Sequence, residues 1–288
     1  MTSCNFPKRG LKMRKAVEYS VQIFSYFALT AAIGGMLWIL YTVVMHGMSV
    51  LNWEFLTNPS KPYGVPDGGI ANALLGTVYI TFGAVVIALP PALAGGIYLA
   101  EYGRQNRGAN IIRFTANVIM GIPSVLVGLF VYAVMVVPSG SFSGLAGSVA
   151  LAIIMLPVIL RTTEDMMRMV PDALRESALA LGMSRMRSTL RIVCRSARSG
   201  LLTGILLAIA RVSGETAPLL FTAMWSDSWP KQYFTNPTAN MPVLITEYAT
   251  NSPFEEMHAA GWGAALIITL LVLCLNLTTR ILFKEKKH

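Results

Sequence analysis

An arginine set inside a long apolar run is the residue of this sequence best placed to do chemistry. Arg211 lies within GILLAIARVSGETAPLLFTA, a stretch that begins at Gly204. A guanidinium near the middle of a bilayer costs about 2.5 to 3.5 kcal/mol even on a lenient insertion scale, so something must compensate it. Glu215 follows four residues later, a spacing that predicts both groups on one helix face within pairing reach. Two readings follow. The pair is a buried ion pair that staples its helix to neighbours, or it is the charged lining of an ion path. A multiply charged anion cannot cross hydrocarbon without a fixed cation on the way. Arg suits that task, being permanently charged with a planar fork of donors that matches tetrahedral oxyanions. On this reading Glu215 holds Arg211 when the path is empty. It also accepts a hydrogen bond from a protonated phosphate oxygen, which a sulfate dianion does not offer.

Other chemistries find no residues. Cys4, Cys194 and Cys274 are far apart, and His46, His258 and His288 have no metal-ligand spacing, so no metal site and no disulfide framework is expected. Nor is there a Gly-Lys-Ser or Gly-Lys-Thr to hold a nucleotide, so no enzyme activity is expected. A net charge of +9 suggests nucleic acid, but the basic residues are not gathered on a soluble domain, and no nucleic-acid partner is expected.

The elements that must position Arg211 are membrane helices. With 54% hydrophobic and 13% charged side chains in 288 residues, the apolar surface exceeds what one soluble core can hide, and lipid becomes a partner. Runs of spanning length occur at Val21 to His46, Ala71 to Ala100, Ile111 to Val137, Leu145 to Leu160, Gly200 to Trp225 and Ala259 to Phe283. The fourth is the shortest. The first follows a basic stretch, Lys8 to Lys15, yet continues past Ala31 and Ala32, too far for a signal peptide, and reads as an uncleaved anchor. Five basic residues precede span 1, three lie in 101–113, eight in 161–198 and four from Arg280 onward. The alternate segments hold only Lys61 and Lys231, beside Glu54, Asp67, Asp227, Glu247, Glu255 and Glu256. The positive-inside rule then gives an all-α, six-span protein with both ends in the cytoplasm. Its parts are a basic tail (1–20), a first span (21–46) and a core (71–283) that includes a cytoplasmic loop (161–198). Pro90, Pro91, Pro123, Pro157 and Pro218 fall inside the spans, where kinks beside a wet cavity compete with ordinary packing as their explanation.

The 161–198 loop is itself helical in pattern. Pro171 can open a helix at its first turn, Leu174, Ala178 and Leu181 line one face, and Gly182 can close it. Ser184 can cap a second, basic helix through Arg185, Arg187 and Arg191. Such a helix fits the groove of a cytoplasmic partner or lies against lipid headgroups; both readings stay open on the residues alone.

Glu176, Ser177, Ala178, then Gly182 and Ile192, resemble the cytoplasmic loop motif of the permeases of ATP-binding-cassette importers, Glu-Ala-Ala, three residues, Gly, nine residues, Ile. Ser177 replaces the first Ala, and Arg195 stands where many members have Pro. A narrower resemblance runs from about Gly68 to Phe283, through GGIANALLGT, GIYLAEYGR, IPSVLVGLFVY and LPVILRTTEDMMRMVPDALRESALALG, to the phosphate permeases of that family. It implies the type I importer permease fold. It also implies a homologous permease subunit as heterodimer partner, two ATPase subunits that carry ATP and Mg, and an extracytoplasmic phosphate-binding protein. The loop would dock on the ATPase. No cofactor is expected in this chain, and the location is the cell inner membrane. Charged positions in spans 4 and 5 of the family correspond to Arg161 and Arg211, with Glu215 beside the latter. Arg161 also reads as a snorkelling anchor at the inner end of span 4. The competing functions are a permease for another oxyanion such as phosphonate or molybdate, an ATP-independent secondary transporter, and a membrane assembly protein.

Overall fold

A computed structural model describes residues 8–62, 65, 68–104 and 106–282. Cys4, Asp67, Phe283, Lys284, Lys286, Lys287 and His288 lie outside the described residues.

The described elements are all helical. The chain runs α1 (Lys8–Gly47), α2 (Trp53–Thr57), α3 (Ala71–Glu101), α4 (Arg107–Gly121) and α5 (Ser124–Val131), which passes through a π-turn into α6 (Val137–Ser139). It continues with α7 (Gly144–Arg168), α8 (Asp172–Ala180) and α9 (Arg185–Ser188), the last leading by a π-turn into α10 (Cys194–Val212). The short α11 (Ala217–Thr222) and α12 (Met241–Thr246) precede α13 (Glu255–Leu282). Five helical stretches are long and apolar enough to cross a bilayer alone, and the pair α4 and α5, bent by 100°, makes a sixth crossing.

That bend falls at Pro123, inside the run Ile111 to Val137, and is far sharper than a kink within one continuous helix. Pro123 forces the residue before it out of the helical region, and Ile122 is extended with ψ 132°. The direction of the chain supports counting the pair as one crossing. Gly83 of α3 packs at Ser148 of α7, and Gly96 packs at Thr163, so α3 and α7 run the same way and the chain between them must return.

Small residues bring α3 and α7 together. Ala84, Ala88, Ala92, Gly96 and Ala100 recur every fourth residue on α3, and all are buried. Without a hydrophobic drive between helices in lipid, such a stripe lets backbones approach closely enough for dispersion to hold them. Leu151, Met155 and Ile159 of α7 fill the same core. A Cβ on Gly96 would meet the Leu160 carbonyl oxygen at 2.7 Å. Helix α1, by contrast, exposes Phe24, Phe27 and Trp38 and touches the rest near its end, where Gly47 packs on Leu266 and the His46 ring lies 5.2 Å from that of Trp262. Its apolar surface is what the bilayer solvates.

Span 4 is longer than its apolar run suggests, because α7 continues through Arg161 and Glu164 to Arg168. Span 5 also departs from expectation. The helix that begins at Arg185 ends at Val212, and the residues up to Trp225 form a break, α11 and a loop. That loop folds back over the bundle at the end opposite the arginines. The Leu145 amide donates to the Tyr233 carbonyl at 3.2 Å, and the Tyr233 and Ser148 hydroxyls are hydrogen-bonded.

Gly96→Ala should therefore cost about 1–3 kcal/mol through overpacking, read as a lower thermal midpoint in detergent. Gly34→Ala, where nothing lies within 4 Å of the added atom, should leave the midpoint unchanged.

Candidate functional site

Arg211 occupies the last turn of α10. The helix stops there because Gly214 gains little from helical order and Pro218 has no amide hydrogen to continue the ladder. Glu215 thus sits in the break between α10 and α11, which overturns the expectation that it shares a helix face with Arg211. The two groups still meet, with Arg211 Nε 3.9 Å from Glu215 Oε1. This contact is long for a charge-assisted hydrogen bond. The Arg211 side chain is 61% exposed in the isolated subunit and that of Glu215 21%. A dry ion pair stapled within this chain is not what the geometry provides. The open face of the guanidinium, at the end of an apolar helix, requires water or another protein chain against it. At the break a cavity of about 290 Å³ is lined by Gly214, Thr216, Thr246 and Thr269.

Arg161 belongs to a different arrangement. Its Nη1 donates to Glu164 Oε2 at 2.7 Å, one turn further along α7. Glu164 is completely buried, and two more arginines converge on its other oxygen: Arg113 Nε of α4 at 2.7 Å and Arg168 Nη2 at 2.8 Å. Three guanidinium groups around one carboxylate satisfy its lone pairs and replace the water that burial removes. Arg113 also donates to the carbonyls of Leu99 and Gly103 at 3.1 and 2.9 Å, so the cluster ties α3, α4 and α7 together. The head group of Arg161 is held inward by Glu164, and Arg161 stands about two turns before the end of α7, not at it.

The structure does not join Arg161 to Arg211; among the described residues no ion pair links the two clusters. It does set them in register. Gly200 packs on Met166 and Gly204 on Thr162, so α7 and α10 are antiparallel and Arg161 stands level with Ile205. Arg211 lies six residues beyond, about 9 Å further along the axis at 1.5 Å per residue.

The loop motif forms α8. Pro171 takes the N-cap position, just before the first turn, and Gly182 closes the helix at φ +79°, where its lack of a Cβ matters. The Gly182 amide donates to Leu179 O at 2.9 Å and the Met183 amide to Ala178 O at 3.1 Å. Leu174 and Ala178 lie one turn apart on α8, Leu181 stands just past its end, and of the three only Ala178 is buried in the chain. Glu176 and Ser177 are exposed, and Ile192 is half-buried in the π-turn before α10. Ser184 stands at the N-cap of α9 without a side-chain cap bond. At the start of α8, Arg104 pairs with both oxygens of Asp172 at 2.8 and 3.2 Å. That hydrogen bonding holds the Asp172 carboxyl below the usual carboxylate range, so the contact is complete at neutral pH and is lost only as pH falls through the lowered value.

Glu164 is the residue that sequence reading missed. Its signal was present: an acid three residues after Arg161 and four before Arg168. It could be read only once α7 was known to extend through that stretch.

Residues 92–288 match the profile of the family described as the binding-protein-dependent transport system inner membrane component. The chain belongs to this family. The permease is 44% identical over 263 residues to a protein of Haemophilus influenzae named phosphate transport system permease protein PstA, with 91% of this chain and 92% of the relative covered. It is 40% identical over 286 residues to the Pasteurella multocida protein of the same name, with 99% of each covered. Its fold is that of a chain in the inward-facing MetNI methionine ABC transporter, with a TM-score of 0.58 at 16% identity, covering 75% of the permease and 93% of that chain.

Glu164→Gln should leave three arginines around a neutral amide, and breaking a buried pair from one side costs about 3–5 kcal/mol. The expected result is a clearly lowered thermal midpoint in detergent, with Glu164→Asp between the two. An unchanged midpoint for Glu164→Gln would show that the cluster does not hold α3, α4 and α7.

Proposed function

We propose that this permease carries inorganic phosphate into the cell, driven by ATP hydrolysis on partner subunits. The observation behind this reading is Arg211: a guanidinium at the end of an apolar helix, open on one side, with a carboxylate at 3.9 Å that leaves most of its donors free. A second permease chain against that face would enclose a wet path, and an anion in it would meet the fork of Arg211 in place of water. Arg161, about 9 Å nearer the arginine-rich end, would be the next cation on the way. The relatives named for phosphate transport supply the cargo in this reading.

The arginine-rich end, with both termini and α8, is cytoplasmic in this account, and the acidic loops face outward, following the distribution of basic residues. The assembly comprises a homologous permease subunit, two ATPase subunits docked on α8 around Glu176 and Ser177, and a phosphate-binding protein outside. ATP and Mg belong to the ATPase, and this chain performs no bond chemistry. ATP binding closes the ATPase pair, α8 moves with it, and the population shifts from a path open inward to one open outward.

Reconstitution with these partners in liposomes tests the proposal. ATP-dependent uptake of labelled phosphate should be displaced by excess phosphate and not by phosphonate or molybdate. Arg211→Ala should assemble normally and lose at least about tenfold in uptake, the scale of one lost charge-assisted contact. Uptake that survives ATP depletion would point to a secondary transporter, and loss of assembly in Arg211→Ala would point to a staple.

A further inference from the structure

The first turns of helix α8 are fastened to the membrane bundle by the exposed Arg104–Asp172 pair and by one buried side chain, Arg175. Arg175, in its first turns, is 12% exposed, and all five of its donors are engaged. Nε and Nη2 donate to Glu101 Oε1 at 3.0 and 2.9 Å. Nη2 also donates to the Met167 carbonyl at 2.7 Å, while Nη1 serves the Val170 carbonyl and Asp172 Oδ1. Glu101 is the last residue of α3, and its carboxylate is almost fully buried. Met167 and Val170 are at the end of α7. One guanidinium thus joins the ends of α3 and α7 to the start of α8, and Arg185 of α9 adds a bond to the Glu101 carbonyl at 2.8 Å.

The far end of α8 makes no ion pair to the bundle among the described residues. It leaves through Gly182 in the left-handed region and reaches α10 by way of α9 and a π-turn over Thr189–Val193. Helices α3 and α7 are packed along the small-residue stripe and cannot slide easily past one another. A displacement of α8 therefore reaches α3 and α7 through this buried guanidinium, and the start of α10 through Val193 and Ala197, which pack with Ala100, Met167 and Val170.

We infer that Arg175 is a positioning residue for transport, the joint that makes α3, α7 and α8 one rigid body and so turns motion of α8 into motion of the spans. This rests on the reading of the chain as an ATP-driven importer. Removing one partner of a buried pair strands a charge, whereas replacing both with apolar groups of similar size need not destabilise. The double variant Arg175→Met with Glu101→Met therefore separates coupling from folding.

The test uses the whole reconstituted complex, with phosphate-binding protein and ATPase subunits. The double variant should assemble at the wild-type yield but move about tenfold less phosphate per ATP hydrolysed, a coupling loss on the scale known for residues outside binding sites. A second measurement does not depend on the cargo. Spin labels at Leu181→Cys and Val86→Cys, both exposed, report the distance between the end of α8 and α3, with Cys4, Cys194 and Cys274 replaced by Ser. With Arg175 and Glu101 in place, that distance should be the same without nucleotide and with ATP trapped; in the double variant it should differ. Unchanged phosphate per ATP in the double variant, or a wild-type distance that changes with ATP, overturns the inference. If the wild type assembles and hydrolyses ATP but imports no phosphate, the importer reading fails while the distances still judge the joint.

Discussion

A carboxylate with no exposed surface needs donors in place of the water it has lost, and Glu164 finds them in three guanidinium groups. The arginine-rich end of the bundle is organised by this requirement. Helices α3, α4 and α7 converge there because Arg113 must reach Glu164 from α4 while its other donors find carbonyls at the end of α3. Glu101 repeats the arrangement with Arg175 and draws α8 into the same lattice. The rest of α3 and α7 is held by small apolar residues in close contact. Charge fixes one end and dispersion the middle.

Arg211 stands apart from this pattern. Where Arg113 and Arg175 have their donors absorbed by carboxylates and carbonyls, Arg211 keeps most of its surface open beside a carboxylate at 3.9 Å. A guanidinium whose donors are already saturated has little to offer a passing anion; one held loosely by a single acid can exchange that acid for cargo. The helix break after Val212 is what makes this possible. It puts Glu215 on non-helical backbone, close enough to steady the arginine and too far to neutralise it.

Much of this was legible in the sequence. The apolar runs marked most of the crossings, and Gly182 marked the end of α8 because only a left-handed position there stops the helix cleanly. What stayed illegible depended on partners distant in the chain. The length of α7 could not be read from hydropathy, since Arg161, Glu164 and Arg168 look like the polar end of a span until Arg113, some fifty residues earlier, neutralises the acid. The break at Gly214 was hidden by the apolar residues on both sides of it, and a lone Pro123 does not distinguish a gentle kink from the 100° turn observed. Arg211 and Glu215 were recognisable as unusual residues, but their spacing implied a helical pair, and helix termination is set by Gly214 and Pro218 between and beyond them.

The central claim is that Arg211 borders a wet route taken by anions, and chemical access to that position tests it most directly. In the assembled complex with the three native cysteines replaced, Arg211→Cys should react with a negatively charged, membrane-impermeant thiosulfonate, and excess phosphate should slow the reaction. Modification only by a lipid-soluble maleimide, or none with or without ATP while the unfolded chain reacts fully, would place residue 211 against lipid or in dry protein and contradict the account.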